Sequence, residues 1–124
     1  MKTFKSILLI FAIVGLGTMQ SVALDKSGVK FTELRAENSP LITLRIVLRT
    51  GAVNDPKGKE GLNDLTARLI AAGGTTDFTY SQVVEKLYPW SASIDVQTDQ
   101  EITTFIGDVH RDHFEKFYKL FSDL

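Results

Sequence analysis

The spacing of apolar residues changes period along the chain, and this change limits the possible folds more than any other feature of the sequence. Segments with apolar residues at every second position, as in strands, lie on both sides of segments with helical spacing. Apolar residues make up 44% of the 124 residues, which is enough for a packed core. The pattern therefore predicts an α+β fold in which helices cover one face of an antiparallel sheet.

The strand-like segments form two pairs. The first pair, 29–36 and 41–48, is separated by a polar turn with a proline, and the pattern predicts that the two segments form a hairpin. The second pair, 92–97 and 102–109, is joined by four polar residues and is also predicted to be a hairpin. All four strands are expected to lie in one sheet.

Three segments have helical spacing and complete the predicted order β-β-α-α-β-β-α: 61–72, from Thr79 up to Pro89, and 112–124 with Asp112 as the cap. Four apolar residues of the first helix recur at helical spacing and are expected to form one apolar stripe: Leu62, Leu65, Leu69 and Ile70. The third helix ends with an apolar face that still needs a partner. We therefore expect the chain to be the N-terminal part of a longer protein.

The first 23 residues have the layout of a secretory signal peptide. Lys2 and Lys5 precede an apolar run over 7–16, and Ser21-Val22-Ala23 offers small residues for cleavage. The run is shorter than the roughly 20 residues that a membrane-spanning helix needs, so cleavage is favoured over a short uncleaved anchor. We predict a periplasmic or secreted domain over 24–124 with no membrane span after cleavage.

Composition excludes several kinds of site. The chain has no cysteine, so disulfides, thiolate nucleophiles and cysteine-bound zinc are ruled out. Its formal net charge of -1 gives no overall field that would attract nucleic acid. His110 and His113 lie three residues apart and could share a metal ion, but a junction between strand and helix is the favoured interpretation.

An aromatic cluster is a candidate contact surface. Tyr88 and Trp90 flank Pro89 between the second helix and the third predicted strand. Tyrosine and tryptophan are frequent in binding hot spots, although a turn often packs its aromatic residues onto the sheet. Both residues are therefore possible contacts for a peptide or a protein partner.

Four features together resemble a known family. They are the strand that leads into Arg-Thr-Gly over 44–51, the sequence Lys-Glu-Gly-Leu at 59–62, Gly74-Thr75 after the first helix, and the strand pair over 92–109. They are similar to the N-terminal domain of the insulinase/pitrilysin family of zinc metallopeptidases. The similarity spans about residues 29–124.

The resemblance implies a zinc motif that this chain does not retain. The family carries His-x-x-Glu-His on the first helix, in which the two histidines bind zinc and the glutamate activates a water molecule. The corresponding residues here are Asp64, Ala67 and Arg68. Alanine cannot take a proton, and arginine stays protonated and cannot bind zinc. Asp64 and Arg68 are hypothesised to pair with each other at helical spacing.

The resemblance and the degenerate motif together imply a non-catalytic domain. The family's third zinc ligand is a glutamate far downstream, so no cofactor is expected in this stretch. The domain would bind peptide or pair with a catalytic sister subunit. Alternatively, it is the inert half of a larger zinc metalloendopeptidase whose metal ligands lie in a later domain. A structural envelope protein that kept only the fold is a third possibility.

Overall fold

A computed structural model describes residues 30–36 and 38–124 of the chain. The chain divides into two units, Met1–Glu37 and Asn38–Leu124. The predicted signal peptide and Val29 lie outside the described residues. The described part of the first unit contains neither helix nor strand.

The second unit contains a sheet of three antiparallel strands. They are β1 (Leu41–Leu48), β2 (Ser93–Thr98) and β3 (Thr103–His110), in the order β1-β3-β2. The hairpin of β2 and β3 confirms the second predicted pair, with Thr98 opposite Thr103. Within the part of the chain that the structure describes, β1 and β2 are therefore both edge strands.

Three helices accompany the sheet: α1 (Leu62–Ala72), α2 (Tyr80–Leu87) and α3 (Phe114–Ser122). Thr79, where the predicted helix begins, caps α2, because its hydroxyl accepts a hydrogen bond from the backbone N–H of Gln82. Asp112 does not cap α3. It lies in a 3-10 turn before the helix, where its backbone N–H donates to His110 Nδ1 at 3.3 Å.

The core lies between one face of the sheet and the helices. Phe105, Gly107 and Val109 of β3 point to this face, and Phe117 and Phe121 of α3 pack closely against Gly107. The buried residues of the core cluster come from β3 and all three helices: Ala67, Val83, Leu87, Phe105, Val109, Phe117, Leu120 and Phe121. The predicted α+β class, with an antiparallel sheet and helices on one face, is confirmed.

The first predicted strand is wrong over the described residues 30–36. Phe31 and Leu34 are three residues apart, so their side chains would point to opposite faces of a strand and could not both enter one core. Both are exposed, at 56% and 70%. The observed order is β-α-α-β-β-α, and β1 pairs along its whole length with β3 instead of with residues 30–36.

The side of α1 that faces the core also differs from the prediction. Ala67 is buried and Ala71 packs against the core, whereas the leucines of the predicted stripe are largely exposed. Leu62, Leu65 and Leu69 are 42%, 55% and 61% exposed. The helix therefore lays its alanine side on the core, because small side chains let a helix approach a sheet closely.

Candidate functional site

The loop before α1 holds the start of the helix through one carboxylate. Asp55 accepts hydrogen bonds from the backbone N–H groups of Gly61 at 2.6 Å and Asn63 at 2.8 Å. Two N–H groups at the helix start, which have no partner within the helix, are thereby satisfied. Glu60 folds back in the same loop and accepts from the Gly58 N–H at 2.9 Å, which lowers the pKa of its carboxyl.

A partly buried polar network joins α1 to the sheet. Asn63 Nδ2 donates to the hydroxyl of Thr103 at 2.9 Å, and that hydroxyl donates to the Thr50 carbonyl at 2.9 Å. The Thr50 hydroxyl donates to Asn63 Oδ1 at 3.2 Å, which closes the network. Thr103 is 2% exposed, so these bonds lie away from solvent. They fix the first turn of α1 on the start of β3.

Asp64 in the first turn of α1 forms an ion pair with Arg68, four residues later. Arg68 Nε donates to Asp64 Oδ2 at 2.8 Å, and the side chains are 67% and 44% exposed for Arg68 and Asp64. The pair hypothesised from the sequence is therefore present in the structure. The hydrogen bond from Arg68 is the main cause that lowers the pKa of the Asp64 carboxyl.

Thr98, at the end of β2, is the neighbour of this pair on the sheet. Its hydroxyl also lowers the pKa of Asp64, but less than Arg68 does. The Thr98 hydroxyl is shielded from solvent and makes no hydrogen bond of good geometry to the described residues. Arg68 is therefore the hydrogen-bond partner of the Asp64 carboxylate.

The edge strand β2 runs past the helix that carries the ion pair, since α1 packs against it. Side chains of β2 alternate, with Ser93, Asp95 and Gln97 exposed and Ile94 and Val96 packed on the core. Its other edge has no strand within the described part of the chain. The backbone groups on that edge are the kind of surface that pairs with an extended peptide.

The sequence of residues 32–124 matches the family model of the insulinases, peptidase family M16. The chain belongs to this family. A protease from Helicobacter pylori has a similar solved structure, with a TM-score of 0.71 and 20% sequence identity over 86% of this chain. The match covers 25% of that protease, so the chain spans about a quarter of its length. The comparison with curated proteins finds no match.

The residues that the resemblance aligns with the zinc motif of the insulinase family do not fit a zinc ion. Asp64 supplies carboxylate oxygens, but its carboxylate is held by a guanidinium that cannot bind metal. Ala67 is 4% exposed in the core and offers no donor atom. Among residues 30–36 and 38–124, no group of three histidine, aspartate or glutamate side chains is placed to hold a metal ion.

The two histidines outside the motif form part of the junction between β3 and α3, the interpretation that the sequence favoured. Their rings are 6.4 Å apart between centroids and tilted by 54°. His110 Nδ1 lies 3.4 Å from Asp112 Oδ2 in addition to accepting from the Asp112 N–H. His110 thus serves as the cap of the turn that begins at Arg111.

The aromatic candidates of this family member have different environments. Tyr88 is 87% exposed, whereas Trp90 is half-buried and packs against the core. Of the two predicted contact residues, Tyr88 is therefore the accessible one.

Across the described residues, no helix has the length and apolar character to cross a membrane.

Three residues that shape the site were missed at the sequence level: Asp55, Asn63 and Thr98. Asp55 lies six residues before Gly61, too far from the start of α1 for the usual cap signal, which is the residue directly before a helix. Thr98 and Asn63 acquire their roles only when β2 and β3 meet α1. No local sequence pattern predicts that β2 and β3 pack against α1.

Proposed function

We propose that this chain is an exported, non-catalytic insulinase-family domain that binds extended peptide or pairs with a catalytic peptidase subunit. The observation that carries the proposal is the Asp64–Arg68 ion pair, since the resemblance aligns these two residues with the histidines of the family motif. A guanidinium at such a position repels a divalent cation. The third motif position, Ala67, has no group that could activate water.

The free edge of β2 supports the peptide-binding part of the proposal. A peptide that adds to this edge would form main-chain hydrogen bonds with β2 and pass close to α1. Such bonds are largely independent of sequence, and side-chain pockets then provide selectivity. Export is proposed from the N-terminal 23 residues and places the domain in the periplasm or outside the cell.

The first experiment measures zinc and turnover together. We expect the purified chain to contain no stoichiometric zinc and to cleave none of a set of unstructured peptides, with or without added zinc. A matched variant that combines Asp64→His with Arg68→His, tested beside Arg68→His alone, shows whether these positions can bind zinc once imidazoles are present. Zinc at one equivalent in the parent chain, with cleavage that a chelator stops, would overturn the proposal.

The second experiment locates the peptide by amide hydrogen exchange. A labelled peptide without secondary structure is titrated onto the chain, and backbone exchange is followed along both edge strands. We expect slower exchange along β2 and unchanged exchange along β1, which serves as the internal control. Equal protection of both edges, or protection of β1 alone, would contradict binding at β2.

A second candidate function is the inert half of a larger zinc metalloendopeptidase. It is favoured by the length comparison, since the chain spans about a quarter of the similar protease. A complete His-x-x-Glu-His in the polypeptide encoded after Leu124, together with zinc in the full gene product, would support this candidate. If neither is found, purification of an active peptidase bound to the chain tests the pairing role.

A further inference from the structure

The guanidinium of Arg68 has donors that its ion pair leaves unused. The hydrogen bond to Asp64 involves Nε, and neither Nη atom donates to any residue that the structure describes. Arginine carries its N–H groups in a planar fork that matches the two oxygens of a carboxylate. The side chain of Arg68 is 67% exposed, so the remaining donors are accessible from solvent.

The position of Arg68 relates these donors to the edge of β2. Thr98 ends β2 beside Asp64, and Arg68 follows Asp64 by one helical turn, which is about 5.4 Å along the helix axis. A long arginine side chain can therefore reach a ligand that runs past this end of the strand. An exposed ion pair of this kind adds little to folding stability, so stability alone gives a weak account of it.

We propose that Arg68 binds a carboxylate of the peptide on β2, so that the domain selects anionic peptides. Asp64 holds Nε and orients the guanidinium, while the Nη groups face the ligand. The carboxylate belongs to the C-terminus of the peptide or to an acidic side chain. This inference rests on the proposed peptide binding and adds the chemical class of the ligand to it.

The experiment uses the whole chain and four fluorescent peptides of one sequence. They combine a free or amidated C-terminus with glutamate or glutamine at one internal position. We expect a peptide with a carboxylate to bind about two- to fivefold more tightly than the amidated glutamine peptide, the range expected for an exposed ion pair. The two arms show whether the terminal or the internal carboxylate is bound.

Variants assign this preference to Arg68. Arg68→Gln should abolish it, and Arg68→Lys should keep part of it because the charge remains while the fork is lost. Asp64→Asn should increase it, since a negative charge beside the guanidinium is removed. Arg45→Gln is the control, since it removes an equal charge from the sheet face opposite the helices.

The outcomes separate this inference from the function on which it rests. Equal affinity of all four peptides, or an equal loss of preference in Arg45→Gln, would overturn the role of Arg68 and leave peptide binding standing. Failure of every peptide to bind would overturn the proposed peptide binding, and the inference with it. A decrease of the preference in Asp64→Asn would contradict the expectation that the negative charge of Asp64 competes with the ligand for the guanidinium.

Discussion

Asn63 of α1 donates a hydrogen bond at 2.9 Å to the buried hydroxyl of Thr103 at the start of β3. The two residues are 40 positions apart, so this bond joins distant parts of the chain. Asn63 lies one residue before Asp64, the residue that the resemblance aligns with the first position of the zinc motif. The network thus fixes the helix turn from which the ion pair extends.

Replacing Thr103 by valine should destabilise the domain by about 1–3 kcal/mol, because Asn63 Nδ2 and the Thr50 carbonyl would each lose a partner. Urea unfolding followed by circular dichroism measures the change. Thr104→Val is the matched control, since this neighbour lies on the other face of β3 and should shift stability by less than about 0.5 kcal/mol. Equal effects of the two substitutions would contradict the network.

Gly107→Ala should destabilise the core through overpacking. A Cβ atom at Gly107 would lie 2.8 Å from Phe117 Cζ and 3.1 Å from Phe121 Cε2. We expect a cost of about 1–3 kcal/mol in unfolding free energy. Combining Gly107→Ala with Phe117→Leu tests whether the close contact causes the loss. Leucine lacks the phenyl ring that the new Cβ would meet, so the alanine should cost less in a double-mutant cycle. Additive effects would show that the contact is not the source.

The elements that the sequence predicted correctly depend on local pattern. Regular alternation identified β1 as a strand, and helical spacing that begins at Thr79 identified α2. The pairing of β1 was predicted wrongly because neighbouring strands usually form hairpins, whereas this strand pairs with β3, across both intervening helices. Which distant strand completes a sheet depends on the packing of the whole chain.

The candidate site was only partly predictable for the same reason. The spacing of four residues on one helix was enough to predict the Asp64–Arg68 pair. The roles of Asp55 and Thr98 could not be read in this way, because they depend on how a loop and a strand end meet α1. Periodicity also identified α1 without indicating its buried side. Alanine and leucine both count as apolar, yet the smaller side chain lies against the core.

The orientation of α1 leads to opposite effects for its two kinds of apolar residue. Ala67→Leu should destabilise the domain by about 1–3 kcal/mol, because a larger side chain would enter the packed core. Leu69→Ala should change stability by less than about 0.5 kcal/mol, since its side chain is 61% exposed. Thermal and urea unfolding of both variants measure these changes. A larger loss for Leu69→Ala would mean that the leucine side faces the core.

Acidification should weaken the fold partly through Asp64. Its pKa is held below the ordinary value of 3.8, mainly by Arg68, so the folded chain takes up this proton less readily than the unfolded chain. The resulting stability is present above the unfolded pKa and is lost as pH falls through the folded pKa. Glu60, whose pKa is also lowered, contributes with the same sign.

Asp64→Asn separates this contribution from the rest of the acid transition. Urea midpoints measured from about pH 7 to about pH 2 should fall more for the parent than for the variant, so that the two curves converge at low pH. Asp123→Asn is the control for the loss of an acidic side chain, because the Asp123 side chain forms no ion pair within the described residues. Because the Asp64–Arg68 pair is exposed, the difference should shrink in high salt. Parallel curves for the parent and Asp64→Asn at low salt would show that the ion pair does not contribute to the pH dependence of folding.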